Sequence, residues 1–302
     1  MPKANTARSI SAATRDELGG DLYPTRFKKC GLGHRSDIAS TGYSLETGIH
    51  AESMTKELVF GNTRTYVGFR HALIAPDSHV PSVLPGVENA TTVILISSAM
   101  GAGFAQFLVT FNKAGRVFFP ADDNERFLFI LNGQLEVKAS SKSREVVAGG
   151  YTFVPAGQSL GLIEVNEGTQ VNFFVKKYVP SPGTPEPALI VGQEKEVASQ
   201  PFLGDEAARL QVLLPDTLSY DLAVNIFNYQ PGAHLPFVET HIMEHGLLML
   251  EGLGVYRLED AWYPVAPGDC IWMAPYCPQW FVAMGKSPAR YLYYKDVNRG
   301  PR

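Results

Sequence analysis

Histidine and cysteine are both scarce in this 302-residue chain, at seven and three residues. Cys30, Cys270 and Cys277 are odd in number and scattered, which excludes a disulfide framework. A reducing cytoplasm is the simplest compartment on that reading. The first 20 residues, MPKANTARSISAATRDELGG, lack the apolar run of a secretory signal. Basic runs are missing too, and the formal net charge is -4. That argues against a nucleic-acid partner, because neutralising phosphates needs clustered Lys and Arg. No apolar stretch of membrane length is unbroken: VILISSAMGAGFAQFLVTF is interrupted by Ser, Gly and Gln and reads as strands. With 45% hydrophobic and 19% charged residues, the chain has enough apolar side chains to bury a core and is not a disordered polymer.

What is present is a long series of short β-rich runs separated by Gly, Pro, Asn and Asp. TTVILIS, FAQFLVTF, RFLFILNG and GTQVNFFVKKYV lie in the first half, and YDLAVNIFNY, GLLMLEG, DCIWMA and ARYLYYKDV in the second. Such spacing predicts an all-β sandwich or barrel with few short helices. The best helix candidate is Asp205 to Leu210. An internal repeat sharpens the prediction. RFLFILNGQLEV (126–137) aligns with HGLLMLEGLGVY (245–256), and GGYTFVPAG (149–157) with GDCIWMAPY (268–276). Gly133 and Gly252 are 119 residues apart, as are Gly149 and Gly268. Two separate matches at one offset indicate two copies of one β domain. The expected organisation is a polar arm over 1–55, a first barrel over 56–178, a Pro-rich linker over 179–194 and a second barrel over 195–302.

Three of the few histidines, His234, His241 and His245, fall in one segment, GAHLPFVETHIMEHGLLMLEG. On an extended strand Glu239 and His241 point to one face. His245 follows beyond a bend, with six residues between it and the Gly252 turn. Gln279, in MAPYCPQWF, opens a later strand. Imidazole nitrogens, a carboxylate and an amide oxygen from adjacent strands can converge on one ion. With no thiolate, this mixed N/O set suits Mn(II), or Fe(II) or another divalent ion, better than a structural zinc. Four protein ligands leave two positions of an octahedron for a substrate. At the 119-residue offset His245 maps to Arg126, His241 to Asp122, Glu239 to Pro120 and Gln279 to Leu160, so the first barrel is expected to be metal-free. Cys277, His234 and Glu244 are read as packing or surface residues. In ARYLYYKDVNR, Tyr291, Tyr293 and Lys295 share one face, and Leu292 and Tyr294 the other. A surface role for Lys295 is equally open on periodicity alone.

The motif resembles that of the cupins. Gly232 opens it, Glu239-Thr240-His241 fills the His-x-His slot, His245 takes the Glu slot and Gly252 closes it; Gln279 stands where a second motif has His. That resemblance implies a bicupin of two tandem double-stranded β-helix (jelly-roll) barrels. The segments ETHIMEHG, LEGLGVYRLEDAWYPVAPGDCIWM, APYCPQW and YLYYKDVNR resemble the (S)-ureidoglycine aminohydrolase family over roughly residues 60 to 300, ETHIMEHG leaning toward its bacterial, cytoplasmic branch. The resemblance implies hydrolysis of the small molecule (S)-ureidoglycine to (S)-ureidoglycolate and ammonia in purine catabolism. It implies Mn(II) on Glu239, His241, His245 and Gln279, and substrate contacts from Tyr256, Tyr291 and Lys295. Glu239 and Lys295 are then the catalytic candidates. Another metal-dependent cupin enzyme, such as a dioxygenase or isomerase, and a non-enzymatic small-molecule-binding bicupin are the alternative readings. Paired barrels with an extended arm also suggest a homo-oligomer.

Overall fold

A computed structural model describes residues 63–139 and 142–300 of the protein. The arm expected over 1–55 lies outside the described residues. Within them every regular element is a β-strand, apart from the single 3₁₀ turns Pro76–Ser78, Ser98–Met100 and Glu194–Glu196. These turns are all that the structure contains of the expected short helices, and no helix among the described residues is long and apolar enough to cross a membrane. The helix expected at Asp205 to Leu210 is instead the strand Asp205–Val212, paired with Ser199–Phe202 on one side and Leu222–Tyr229 on the other. Leu203 and Gly204 both have positive φ, at 51° and 86°. They make the tight hairpin turn that commits the chain to pairing, which overrides the helix preference of Glu206-Ala207-Ala208.

The strands form a ten-stranded sheet from the first half, and an eight-stranded and a three-stranded sheet that together build the second. The repeat holds at the level of register. Arg126 pairs with Val154 as His245 pairs with Met273, and Leu160 pairs with Ala139 as Gln279 pairs with Leu258. Every one of these residues is 119 positions from its counterpart. The turn glycines are conformationally required. Gly133 and Gly252 have φ of 81° and 73°, and a Cβ on Gly252 would stand 2.3 Å from the Pro288 carbonyl oxygen.

Alternation along each strand sorts the apolar side chains into three cores. Leu128, Ile130 and Phe173 fill the first barrel. Leu247, Met249, Tyr291 and Tyr293 fill the second. Their neighbours Phe127, Phe174, Leu248, Leu292 and Tyr294 point the other way, into a shared core between the barrels. There the Phe104 and Tyr294 rings stack at 4.1 Å. The expected opposite faces of residues 291 to 294 are thus the inside and the outside of the second barrel. Besides Tyr66–Val67 at the edge of the eight-stranded sheet, two strands cross between the halves. His71–Ile74, from the start of the described chain, pairs with Cys270–Met273 of the second barrel. Ile190–Gln193, within the Pro-rich linker stretch, pairs with Gly150–Val154 of the first.

Candidate metal and substrate site

The second barrel is open at one end to a cavity of about 220 Å³. Glu239, His241, His245 and Gln279 all line it, and so do Tyr256, Tyr291 and Lys295. His245 opens the strand His245–Glu251 between Met273 and Lys295 on the neighbouring strands. Gln279 opens Gln279–Met284. Glu239 and His241 do not lie on a regular strand as expected. They lie in an irregular passage tied down at single points. Glu239 makes one isolated bridge with Gln279, through backbone bonds of 2.8 and 2.9 Å. The His241 carbonyl accepts from Tyr276 N at 2.7 Å. The two-residue spacing still turns both side chains toward the cavity, which is all the spacing argument needed.

The imidazoles carry the chemistry. His241 Nδ1 donates to the Met243 carbonyl at 3.1 Å, and His245 Nδ1 to the Tyr294 carbonyl at 3.2 Å. Both ring protons are thereby committed to backbone oxygens, which leaves each Nε2 with a lone pair. Those two Nε2 atoms face each other at 3.0 Å, and the Gln279 amide lies 3.0 Å from His241 Nε2. Two lone pairs at that distance repel unless a cation or a proton stands between them. Two donors at right angles about one ion, with bonds of about 2.1 Å, would lie about 3 Å apart. Gln279 can present its amide oxygen by a simple flip of the side chain.

Burial pushes the His245 imidazole well below its usual range, with His241 and Lys295 adding to the effect; burial chiefly lowers His241 as well. Both rings are therefore held neutral, the form that binds metal. Burial raises Glu239, and Lys295 only partly offsets this. A carboxylate in that position favours a nearby positive charge. Among the described residues no three His, Cys, Asp or Glu side chains converge tightly enough to be a ligand set by themselves. The two imidazoles and the Gln279 amide are drawn together, while Glu239 lines the same cavity. The tautomers and spacing of the two imidazoles fit a divalent ion.

Three tyrosines share the rest of the cavity wall with Phe, Leu and Met side chains. Tyr256, Tyr291 and Tyr293 are all buried, and burial raises each phenol, so each stays protonated. Tyr291 Oη lies 3.1 Å from Tyr229 Oη, and Tyr293 Oη accepts from Asn225 Nδ2 at 3.0 Å. The periodicity put Tyr293 on the right face but gave it no role. Phe202, on the hairpin before the barrel, and Met243 also line the cavity. No local signal in the sequence marks either one. Cys277 is buried, its thiol pushed up to about 11 mainly by burial, as a packing residue should be. His234 bonds the Leu235 carbonyl. The Glu244 carboxylate turns away from the cavity to accept from Gly103 N at 3.0 Å. In the first barrel the counterparts of His245 and His241 form an ion pair, Arg126 Nη2 to Asp122 Oδ2 at 2.6 Å.

The chain matches the model of the cupin domain over residues 225–294. It is 41% identical over 244 residues to a rice protein (Oryza sativa subsp. japonica) named probable (S)-ureidoglycine aminohydrolase, across 80% of this chain and 77% of that one. An Escherichia coli (strain K12) protein named (S)-ureidoglycine aminohydrolase is 34% identical over 232 residues, 76% of this chain and 88% of that one. The crystal structure of protein Ylba from E. coli superposes with a TM-score of 0.72 at 32% identity, covering 82% of this chain and 99% of the other. Identity is higher to the plant protein than to the bacterial one, at 41% against 34%.

Proposed function

Because the chain belongs to the (S)-ureidoglycine aminohydrolase family and has the bicupin fold, we propose that it hydrolyses (S)-ureidoglycine to (S)-ureidoglycolate and ammonia in purine catabolism. It is a hydrolase acting on a C–N bond. The observation that carries the reading is the pair of Nε2 lone pairs 3.0 Å apart inside a small cavity partly lined by tyrosine. Glu239, His241, His245 and Gln279 would hold one divalent ion, and the N/O character of the set favours Mn(II), with Fe(II) the next choice. A bound ion would supply a Lewis acid and fix which nitrogen of the substrate leaves.

The chain's own groups do the rest. The reacting carbon carries an amine and a ureido nitrogen; its bond to the amine breaks, the nitrogen leaves with an added proton as ammonia, and a C–O bond forms from water. Lys295 lines the cavity, where its charge also acts on Glu239, and it can pair with the substrate carboxylate. Tyr256 and Tyr291 stay protonated and can donate to the ureido oxygen. Glu239, held high by burial, is suited to passing a proton as well as to ligation. A Glu239→Gln chain that takes up metal normally is expected to turn over more slowly by about 10²-fold or more; wild-type turnover would remove the proton role and leave only ligation.

The deciding experiment is ammonia release from ureidoglycine generated in situ from allantoate. Release above the spontaneous rate is expected, abolished by a chelator and restored by Mn(II). Release at the spontaneous rate with Mn(II) present would sink the proposal.

A further inference from the structure

The strand that crosses into the second barrel does more there than complete a sheet. Arg70, immediately before it, grips the loop from Ala274 to Pro278, which leads into Gln279, and His71, its first residue, supports that grip. Arg70 bonds the Tyr276 carbonyl through Nη2 and pairs with Glu259 through Nη1 at 3.1 Å. The Arg70 carbonyl accepts from Ala274 N at 2.9 Å. His71, buried, reaches Glu259 through Nδ1 at 3.0 Å and the Tyr263 hydroxyl through Nε2 at 2.8 Å. Arg70 and His71 of the early chain thus converge on the Glu259 carboxylate, and Arg70 also holds the Tyr276 peptide.

From that clasp two backbone lines run to two of the proposed ligands. Tyr276, whose carbonyl Arg70 holds, donates its N–H to the His241 carbonyl at 2.7 Å. Thr240, next to His241, bonds the same Tyr276 carbonyl at 3.2 Å. Glu259 donates its N–H to the Pro278 carbonyl at 2.8 Å, immediately before Gln279. Tyr276 and Glu259 also have positive φ, 61° and 55°, although neither is glycine. A side-chain-bearing residue keeps that conformation only where its surroundings over-determine it. Here the surroundings are the clasp.

We infer that Arg70, His71 and Glu259 are positioning residues that set the places of His241 and Gln279, making metal affinity in the second barrel depend on a strand delivered from before the first. The inference rests on the ligand assignment made above. Outer partners that orient ligands carry much of a site's affinity, and their loss typically weakens binding by about 10- to 100-fold.

The test uses the full chain and Mn(II) alone as probe. Affinity is read by competition with a chromophoric chelator, and melting is followed in parallel. Arg70→Ala and Glu259→Gln are each expected to weaken Mn(II) binding by about 10- to 100-fold. Arg70→Lys, which keeps the charge but not the two-pronged grip, is expected to recover part of the loss. The activity deficit of the variants should shrink as Mn(II) is raised. Should Arg70→Ala fail to fold, the near-isosteric Glu259→Gln carries the test. Wild-type affinity in the folded variants, with or without a lower melting temperature, would overturn the clasp and leave the ligand assignment standing. A wild-type chain that takes up no Mn(II) would overturn the assignment itself and the clasp with it.

Discussion

A buried imidazole is a ready ligand only when its proton sits on the far nitrogen. At His241 and His245 the carbonyls of Met243 and Tyr294 see to that. The Gln279 side chain is the third member of the cluster, and its counterpart in the first barrel is leucine, an apolar residue of comparable reach. Gln279→Leu therefore puts the first barrel's solution into the second. It should leave the fold intact, because Leu160 is fully buried on the matching strand. It should also weaken metal binding by about 10-fold or more, read by metal analysis after dialysis. Retention of metal at the wild-type level would show that the two imidazoles and Glu239 suffice. The four candidate ligands were legible in the sequence because ligand-capable residues in a His-poor chain fell on a fixed spacing around a turn glycine. Tyr293, Phe202 and Met243 were not, because Tyr, Phe and Met are ordinary core residues whose nearness to a site is decided by sheet curvature.

At the scale of the strand, His245–Glu251 serves two faces at once. His245, Leu247 and Met249 point into the barrel, while Gly246 and Leu248 point at the other barrel. Gly246 has no room for a side chain: an added Cβ would stand 2.5 Å from Phe104 Cζ. Phe104 cannot easily retreat, since its ring stacks on Tyr294. Gly246→Ala is expected to cost about 1–3 kcal/mol by overpacking, seen as a melting temperature lower by several degrees. An unchanged melting temperature would mean that the contact between barrels yields freely. Strand identity and the repeat could be read from alternation and glycine turns alone. The two crossing strands could not, because His71–Ile74 finds its partner far along the chain and the pairing leaves no local mark. Asp205–Val212 was misread for the opposite reason: its local composition favours helix, and a two-residue turn with its neighbours overrules it.

For the whole molecule the junction between halves matters most. Lys176 of the first barrel is buried and bonds Asp221, which precedes the strand Leu222–Tyr229 of the second. Asp221 also accepts from Val179 N at 2.9 Å. Glu125 lies beside them, with Lys176 Nζ at 4.0 Å. One lysine faces two carboxyls, and Asp221 takes the ion pair. Burial first, and then Asp221, push the Glu125 carboxyl up to about 10. A folded-state value above the unfolded one means that the contribution is fully present below the ordinary carboxyl range and is lost as pH rises toward about 10. The melting temperature of the wild type should therefore fall between pH 6 and pH 9, by several degrees or so. Glu125→Gln, which has no proton to lose, should fall less. Equal slopes would remove Glu125 as the cause. The matched registers of the two barrels carry one more consequence. Where the second barrel sets His241 and His245, the first sets Asp122 and Arg126, so a positive charge fixed in the chain, paired with Asp122, takes the matching position. On the proposed reading the second barrel draws its positive charge from solution. One copy has written its cation into its own sequence, and the other must be supplied with it, so that the protein's working state becomes a readout of the metal available around it.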